Sequence, residues 1–439
     1  MKLSQPHSGF SKSQRMTTPQ PNTMFSQLIA AYPTFDALKA YLDSIGVKAN
    51  TKEGDPLVMF RYNRLACDMT NPLVQAFRSV VWDSLKNVPV FVAPMKSQPL
   101  TTMPADFSTV VVEDFVDGVM VNLFMDPYKG TWRIATRSRL DADNKFYKHT
   151  FMELFMTTWA QLFPGSTGFS QLNPVFGYSF VMQHPLNRIV VPVQQATLVL
   201  AETTFLGPGA VLSINPMPTT MVGPRRFAVT SPQECQLLLA NMEQFEGIRS
   251  QGIVVRSLLT GQRWKARTAA YTACRKMRGN HSQLEYVWFD NIKAGTLDSY
   301  LQLYPEEAQA ATVAVGAWTK VVSDIYNWYV HVFKVRDTPK EKIPAHFKGM
   351  LFDLHGQYVS RLAKQKKSLD WKEHQLIMGQ QDLKRMVFLA TFKEGGKPPP
   401  SFQKRQQHKT APAALAPAPE VEQSQSQSQE QEQEQAEMS

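Results

Sequence analysis

From about residue 57 to 255 the chain is built from short apolar runs of strand length, and after about residue 284 from apolar residues spaced three and four apart. That change of period restricts the fold more than any other feature. Runs at 57–60, 80–82, 88–92, 110–112, 119–124, 132–136, 179–182, 189–193, 197–201 and 252–255 predict strands, with Asn87 marking a turn. Before them, Phe25, Leu28, Ile29 and Tyr32, then Leu38, Tyr41 and Leu42, predict two short helices within 24–45, and one intervening helix is expected over 147–163. Many strands with few helices imply an antiparallel α+β domain rather than a doubly wound one. Helical spacing over 300–303, 308–335, 346–364 and 371–378 implies a small all-helical domain after it. The expected organisation is a disordered arm over 1–22, a domain over 23–283, a helical domain over 284–392 and a disordered Pro/Gln/Glu-rich tail over 393–439. No apolar a/d seam exists in the Glu-Gln tail, so it is not a coiled coil.

A chain of 439 residues has room for two domains, and 43% apolar with 11% aromatic content suits a globular protein. No apolar run reaches the roughly 18 residues of a membrane span, and the Ser/Gln/Pro-rich residues 1–20 lack an apolar signal core. The expected setting is cytoplasmic or nuclear, without a membrane partner. Cys67, Cys235 and Cys274 are scattered and odd in number, so thiols are expected rather than disulfides or zinc ligands. The net charge of +10 conceals an asymmetry: six Glu and no Lys or Arg lie in the last twenty residues, which leaves +16 on residues 1–419. A body that basic suits a polyanionic partner, whose condensed counterions are released on binding, or is simply a basic soluble surface.

Six segments in order carry the chemistry: QAFRSVVWD, VEDFVDGVMVNLF, WRIATRSRL, YSFVMQHPLNRIVVP, SQGIVV and RWKARTAAY. Together they resemble the motif series of phage-type RNA ligases and the wider covalent nucleotidyltransferase superfamily, over roughly 57–280. The resemblance implies an antiparallel-sheet, ATP-grasp-like ligase domain. In that family the lysine of K-x-D-G attacks the α-phosphate of ATP or GTP, an aromatic stacks the base, a glutamate holds the metal, and late cations bind phosphates. It therefore implies ATP or GTP with Mg²⁺ as cofactor, and nucleic acid, RNA rather than DNA, or a nucleotide as partner.

Three of the four departures fall on charged groups. Phe115 stands at the nucleophile position, Val181 replaces a glutamate, Gln251 replaces the metal-binding glutamate, and Ser79 replaces a glycine. Residues that shape or bind are kept, and the resemblance marks Asp117, Gly118, Arg137, Phe180, Lys265 and Arg267 as nucleotide-binding candidates, with Arg78, Lys96 and Arg188 secondary. No metal ligand is assigned. Alternation along RWKAR puts Arg263, Lys265 and Arg267 on one strand face, suited to phosphates or to solvent. Gly118 serves a strand bend or a close ligand approach, and Asp117 a turn cap or a ligand. Phe180, or Tyr178 on the same face, stacks a purine or packs in the core, and His184 reads as a hydrogen-bonded turn residue.

Three functional readings follow. The first is a ligase-like protein, lacking the lysyl-nucleotide step, that binds a nucleotide or nucleic-acid ends in a basic cleft. The second is an active RNA ligase or capping-type enzyme with a relocated lysine, Lys96 or Lys265. The third is a viral structural or nucleic-acid-packaging protein. The third draws on the basic body, which would package or dock onto nucleic acid, and on the acidic tail, which would tune or block that binding; separately, LDSYLQLYPEEAQ, YNWYVHVF and LFDLHGQYVSRL look like the helical extension of ligase-like proteins of large DNA viruses that lack the motif lysine. Such a protein would work in the host cytoplasm or the virion, and its helical domain or acidic tail would contact a protein partner.

Overall fold

The computed structural model describes residues 23–104, 106–215 and 221–393. The arm over 1–22 and the tail from residue 394 lie outside the described residues. Two compact units result, one ending at Ala273 and the other beginning at Cys274.

The first unit is α+β, and its sheets are antiparallel apart from one two-residue contact. Strands β1 (Val47–Asn50), β2 (Leu57–Tyr62), β3 (Val80–Asp83) and β4 (Val88–Val92) form one sheet in sequence order. Strands β5 (Gln98–Pro99) and β6 (Val110–Asp114) precede β7 (Val119–Met125), β8 (Trp132–Ala135), β9 (Gly177–Gln183), β10 (Thr197–Gly207) and β11 (Val211–Asn215). The chain then adds β12 (Arg226–Phe227), β13 (Gly252–Ser257) and β14 (Arg263–Arg267). A second sheet runs β11-β10-β9-β7-β8 and a third β12-β6-β13-β14-β5.

Helices cover the sheet faces that would otherwise expose apolar side chains. Helices α1 (Met24–Ala31) and α2 (Phe35–Ser44) bury Phe25, Leu28, Leu38 and Leu42 on the first sheet against Phe60, Phe77 and Trp82. Helix α3 (Pro72–Ala76) starts with a proline, whose missing N–H costs nothing at a helix start, under an Asn71 cap. Helix α4 (Phe151–Leu162) begins later than the periodicity suggests because Thr150 and Glu153 close a capping box, each side chain accepting the other's backbone N–H. Helix α5 (Pro232–Phe245) packs Cys235 and Met242 on the outer face of the third sheet, against Ile253, Val255 and Trp264. Helix α6 (Ala269–Arg278) follows β14 directly.

Residues 189–193 do not form the expected strand. The Asp117 carboxylate accepts the N–H groups of Val190 (3.0 Å) and Val191 (2.9 Å), and Arg188 donates twice to the Val190 carbonyl. Side chains thus satisfy the backbone groups that a neighbouring strand would have taken.

In the second unit, α7 (Leu284–Ala294), α8 (Leu297–Leu303), α9 (Ala308–Tyr329), α10 (Ala345–Gln357), α11 (Trp371–Gly379) and α12 (Leu383–Thr391) enclose a separate core around Phe289, Ile325, Leu351 and Leu354. The long 308–335 and 346–364 helices of the sequence pattern each end in a π-helical turn, Val330–Val335 and Tyr358–Leu362. No described helix is long and apolar enough to cross a membrane, and none of the three cysteines is disulfide-bonded.

Arg133 on β8 ties the first two sheets together. Buried itself, it bonds Asp55, Asp126 and Asp141 at once. Burial pushes the Asp55 and Asp141 carboxyls up, but Arg133 outweighs it and holds both below the usual range. Their contribution to stability is therefore present above about pH 4 and lost as pH falls through the lowered values. Arg133→Leu should destabilise the unit by about 3–5 kcal/mol at pH 7 in urea unfolding, and the difference from the parent should narrow in acid. A constant difference from pH 7 to pH 3 would refute this role.

Candidate functional site

The second and third sheets face each other across a cleft, and strand alternation decides what each contributes. On the third sheet the cleft face carries Glu113 from β6, Val254 and Arg256 from β13, and Arg263, Lys265 and Arg267 from β14; Val112, Ile253, Val255 and Trp264 turn toward α5. On the second sheet it carries Met120 and Asn122 from β7 and Ser179, Val181 and Gln183 from β9. A bulge in β10 between Leu200 and Glu202 adds one residue, which sets Glu202 rather than Ala201 opposite Ser179. Without that extra residue Glu202 would point to the α4 side.

Glu202 then meets Arg263 across the cleft at 2.8 Å, with both side chains buried. Beside them Arg256 pairs with Glu113 at 3.0 Å, also buried. Burial works against the Arg256 charge, yet Glu113 and Glu202 raise its pKa above the ordinary value. The Glu202–Arg263 pair fastens the two sheets together, while Glu113–Arg256 lies within the third sheet beside it.

Phe115 follows β6 at the cleft centre, where its N–H donates to the Gly252 carbonyl at 2.9 Å. Lys265 Nζ sits 4.9 Å from the ring centroid and the Arg267 guanidinium 5.1 Å. The ring's negative face attracts both cations. The Phe115 side chain is thus a cation-binding ring.

The other candidate residues divide into three groups. Arg78, Lys96, Gly118, Val181 and Lys265 line one narrow crevice with Phe115, of about 60 Å³. Gly118 has φ +152°, and a Cβ there would meet the Met182 carbonyl oxygen at 2.5 Å, so it is the close approach of β7 to β9 that requires glycine. Asp117 is buried and bonded three times, to Val190, Val191 and the Tyr271 hydroxyl at 2.7 Å. Arg188 folds onto Val190, and His184 accepts the Leu186 N–H at 3.1 Å as the cap of a short turn. Burial and the nearby His149 lower the His184 pKa. Phe180 and Arg137 lie elsewhere: Phe180 packs between Phe155 and Trp159 of α4, and Arg137 lies over the Tyr62 ring at 4.8 Å.

A larger cavity of about 440 Å³ lies beside the crevice, sharing Asp114, Phe115, Val116 and Pro224 with it. Gln183, Glu246, Arg249 and Gln251 line it, and Arg225 spans its edge, forked onto Asp114 (3.0 and 3.1 Å) and bonded to Glu246 (2.9 Å). Burial raises the Asp114 pKa although Arg225 opposes it. Sequence reasoning missed Arg225, Glu246 and Arg249, which sit in connecting segments without any motif. Glu202 carried a signal, as an acid within the apolar run from Leu198 to Leu206.

The divalent ion that the resemblance implies does not fit these residues. Gln251 offers a neutral carboxamide where the family has a carboxylate, and among the described residues no group of three or more His, Cys, Asp or Glu could hold a metal. Hard cations take carboxylate oxygens.

No protein-family model matches the chain, and no curated protein matches it in sequence. Solved structures similar to it include an archaeal ATP-dependent RNA ligase, at 14% identity and TM-score 0.36, covering 66% of this chain and 74% of that one. A putative ATP-dependent DNA ligase from Aquifex aeolicus gives 12% and 0.35, covering 85% and 80%. A Naegleria gruberi RNA ligase with PPi gives 12% and 0.26, covering 43% and 59%. At such values likeness establishes neither shared residues nor shared activity.

Glu202→Gln should destabilise the first unit by about 3–5 kcal/mol in urea unfolding, because it strands the buried Arg263. Replacing both partners, by Leu and Met, should recover most of that loss. A double variant as unstable as the single one would show that the pair does not act as a unit.

Proposed function

We propose that this chain is an RNA-ligase-like, nucleotidyltransferase-fold protein that holds a nucleotide or a nucleic-acid end, RNA in preference to DNA, without forming a lysyl-nucleotide. The observation that carries the reading is Phe115 with Lys265 and Arg267 over its ring. A phenyl ring has no lone pair with which to attack a phosphorus atom, so the first step of covalent transfer has no nucleophile at that position. The order of the six motif segments supports the ligase-like part of the reading.

Binding has separate support. Arg78, Lys96 and Lys265 converge on the crevice, and the larger cavity adjoins it. A crevice of about 60 Å³ is too small for a nucleotide, since ligand pockets run from roughly 300 Å³. The crevice therefore suits a phosphate group, with the rest of the ligand in the larger cavity. The lineage with lysine-less proteins of large DNA viruses belongs to the same proposal and rests on the motif and helical segments.

A second reading, an active enzyme with a relocated lysine, draws on one observation. Lys265 Nζ is the amine over the Phe115 ring. It must still supply a metal ligand that Gln251 does not provide.

Fluorescence anisotropy with a labelled 5′-phosphorylated RNA tests the binding. Lys96→Ala and Lys265→Ala should each weaken it several-fold and lower the slope of log affinity against log salt by about one. Unchanged affinity and slope in both variants would remove the basic-cleft reading.

A further inference from the structure

Gln251 is 2% exposed and lines the 440 Å³ cavity, yet neither its Oε1 nor its Nε2 has a hydrogen-bond partner. Buried polar groups almost always find one, because an unmade bond forfeits the water the group gave up. Neighbours on the same wall have theirs: Asp117 accepts three bonds, Glu246 accepts from Arg225, and the Gln183 Oε1 accepts from the Thr197 hydroxyl. The Gln251 backbone is held as well, its carbonyl accepting the Thr268 N–H at 3.1 Å. The orphaned carboxamide is therefore presented by a fixed strand start.

The cavity's chemistry narrows what would satisfy it. A carboxamide offers one donor and one acceptor side by side, which matches the edge of an adenine, whose amino group donates beside a ring nitrogen that accepts. Asp114, Asp117 and Glu246 against Arg225 and Arg249 leave the wall one negative charge in excess, unfavourable for phosphate. Val116, Val191 and Val199 supply the apolar surface that the faces of a base require. Next door, the crevice carries Arg78, Lys96 and Lys265.

We propose that the 440 Å³ cavity seats a purine base edge-on to the Gln251 carboxamide, with no divalent ion involved, and directs the ribose and phosphate toward the Arg78, Lys96 and Lys265 crevice. This rests on the nucleotide-binding reading above and adds a base-reading role for the residue at the metal-ligand position.

Calorimetric titration of the full chain in EDTA tests it, with adenosine, AMP and purine riboside, which lacks the amino group, as probes. Adenosine should bind, purine riboside should bind about tenfold or more weakly, and Gln251→Leu should weaken adenosine by a similar factor. Thermal unfolding of Gln251→Leu should come at or above the parent temperature, since the change removes an unpaired buried polar group. Lys265→Ala should weaken AMP and leave adenosine unchanged. If adenosine binding survives Gln251→Leu, or does not occur while 5′-phosphorylated RNA still binds through Lys265, the base-reading role is wrong and the wider reading stands. If adenosine, AMP and RNA all fail to bind, both fall.

Discussion

The pairing of Glu202 with Arg263 across the cleft is the interaction on which the rest of the site depends. Taking two charges out of water is costly, and a pair so buried persists because each is the other's counter-ion at 2.8 Å. Its consequence is geometric. Its Arg263 also lines the narrow crevice, which the larger cavity adjoins at Phe115. Phe115 stands between the two, and the remaining cations of β14 rest on its ring. The arrangement gathers the Lys265 and Arg267 charges on an uncharged ring.

Phe115, Val181 and Gln251, the departures that the resemblance places on charged groups, end in different physical roles. Phe115 presents an uncharged ring that engages the neighbouring Lys265 and Arg267. Val181 lines the crevice as an apolar wall and also sits within van der Waals reach of the space a Gly118 side chain would need. Gln251 keeps the shape of a glutamate but turns an acceptor into a donor and acceptor pair. Under the proposed ligase-like reading, each change removes negative or reactive character while leaving a shape able to bind.

Much of this was legible in the chain. Strand alternation put Arg263, Lys265 and Arg267 on one face, and apolar runs located most strands of the three sheets to within a few residues. Among the features that were not, four bear on the site or its surroundings. The β10 bulge that re-aims Glu202 leaves no trace in a period-two pattern. The stretch 189–193 has the composition of a strand, but Asp117, seventy residues earlier, takes its N–H groups. Helices α5 and α6 are mostly polar along one side, so their apolar stripes are thin. Arg225 reaches Asp114 and Glu246 from a connecting segment, a pairing of distant charges that no local signal encodes.

The account stands on the absence of an amine able to take a nucleotide at Phe115. Its most direct test is intact-mass spectrometry of the full chain after incubation with ATP, or with GTP, and Mg²⁺, followed by denaturation. The predicted result is the unmodified mass under both conditions. A covalent nucleotidyl adduct, lost on Lys265→Ala or Lys96→Ala, would contradict the account and establish an enzyme with a relocated lysine.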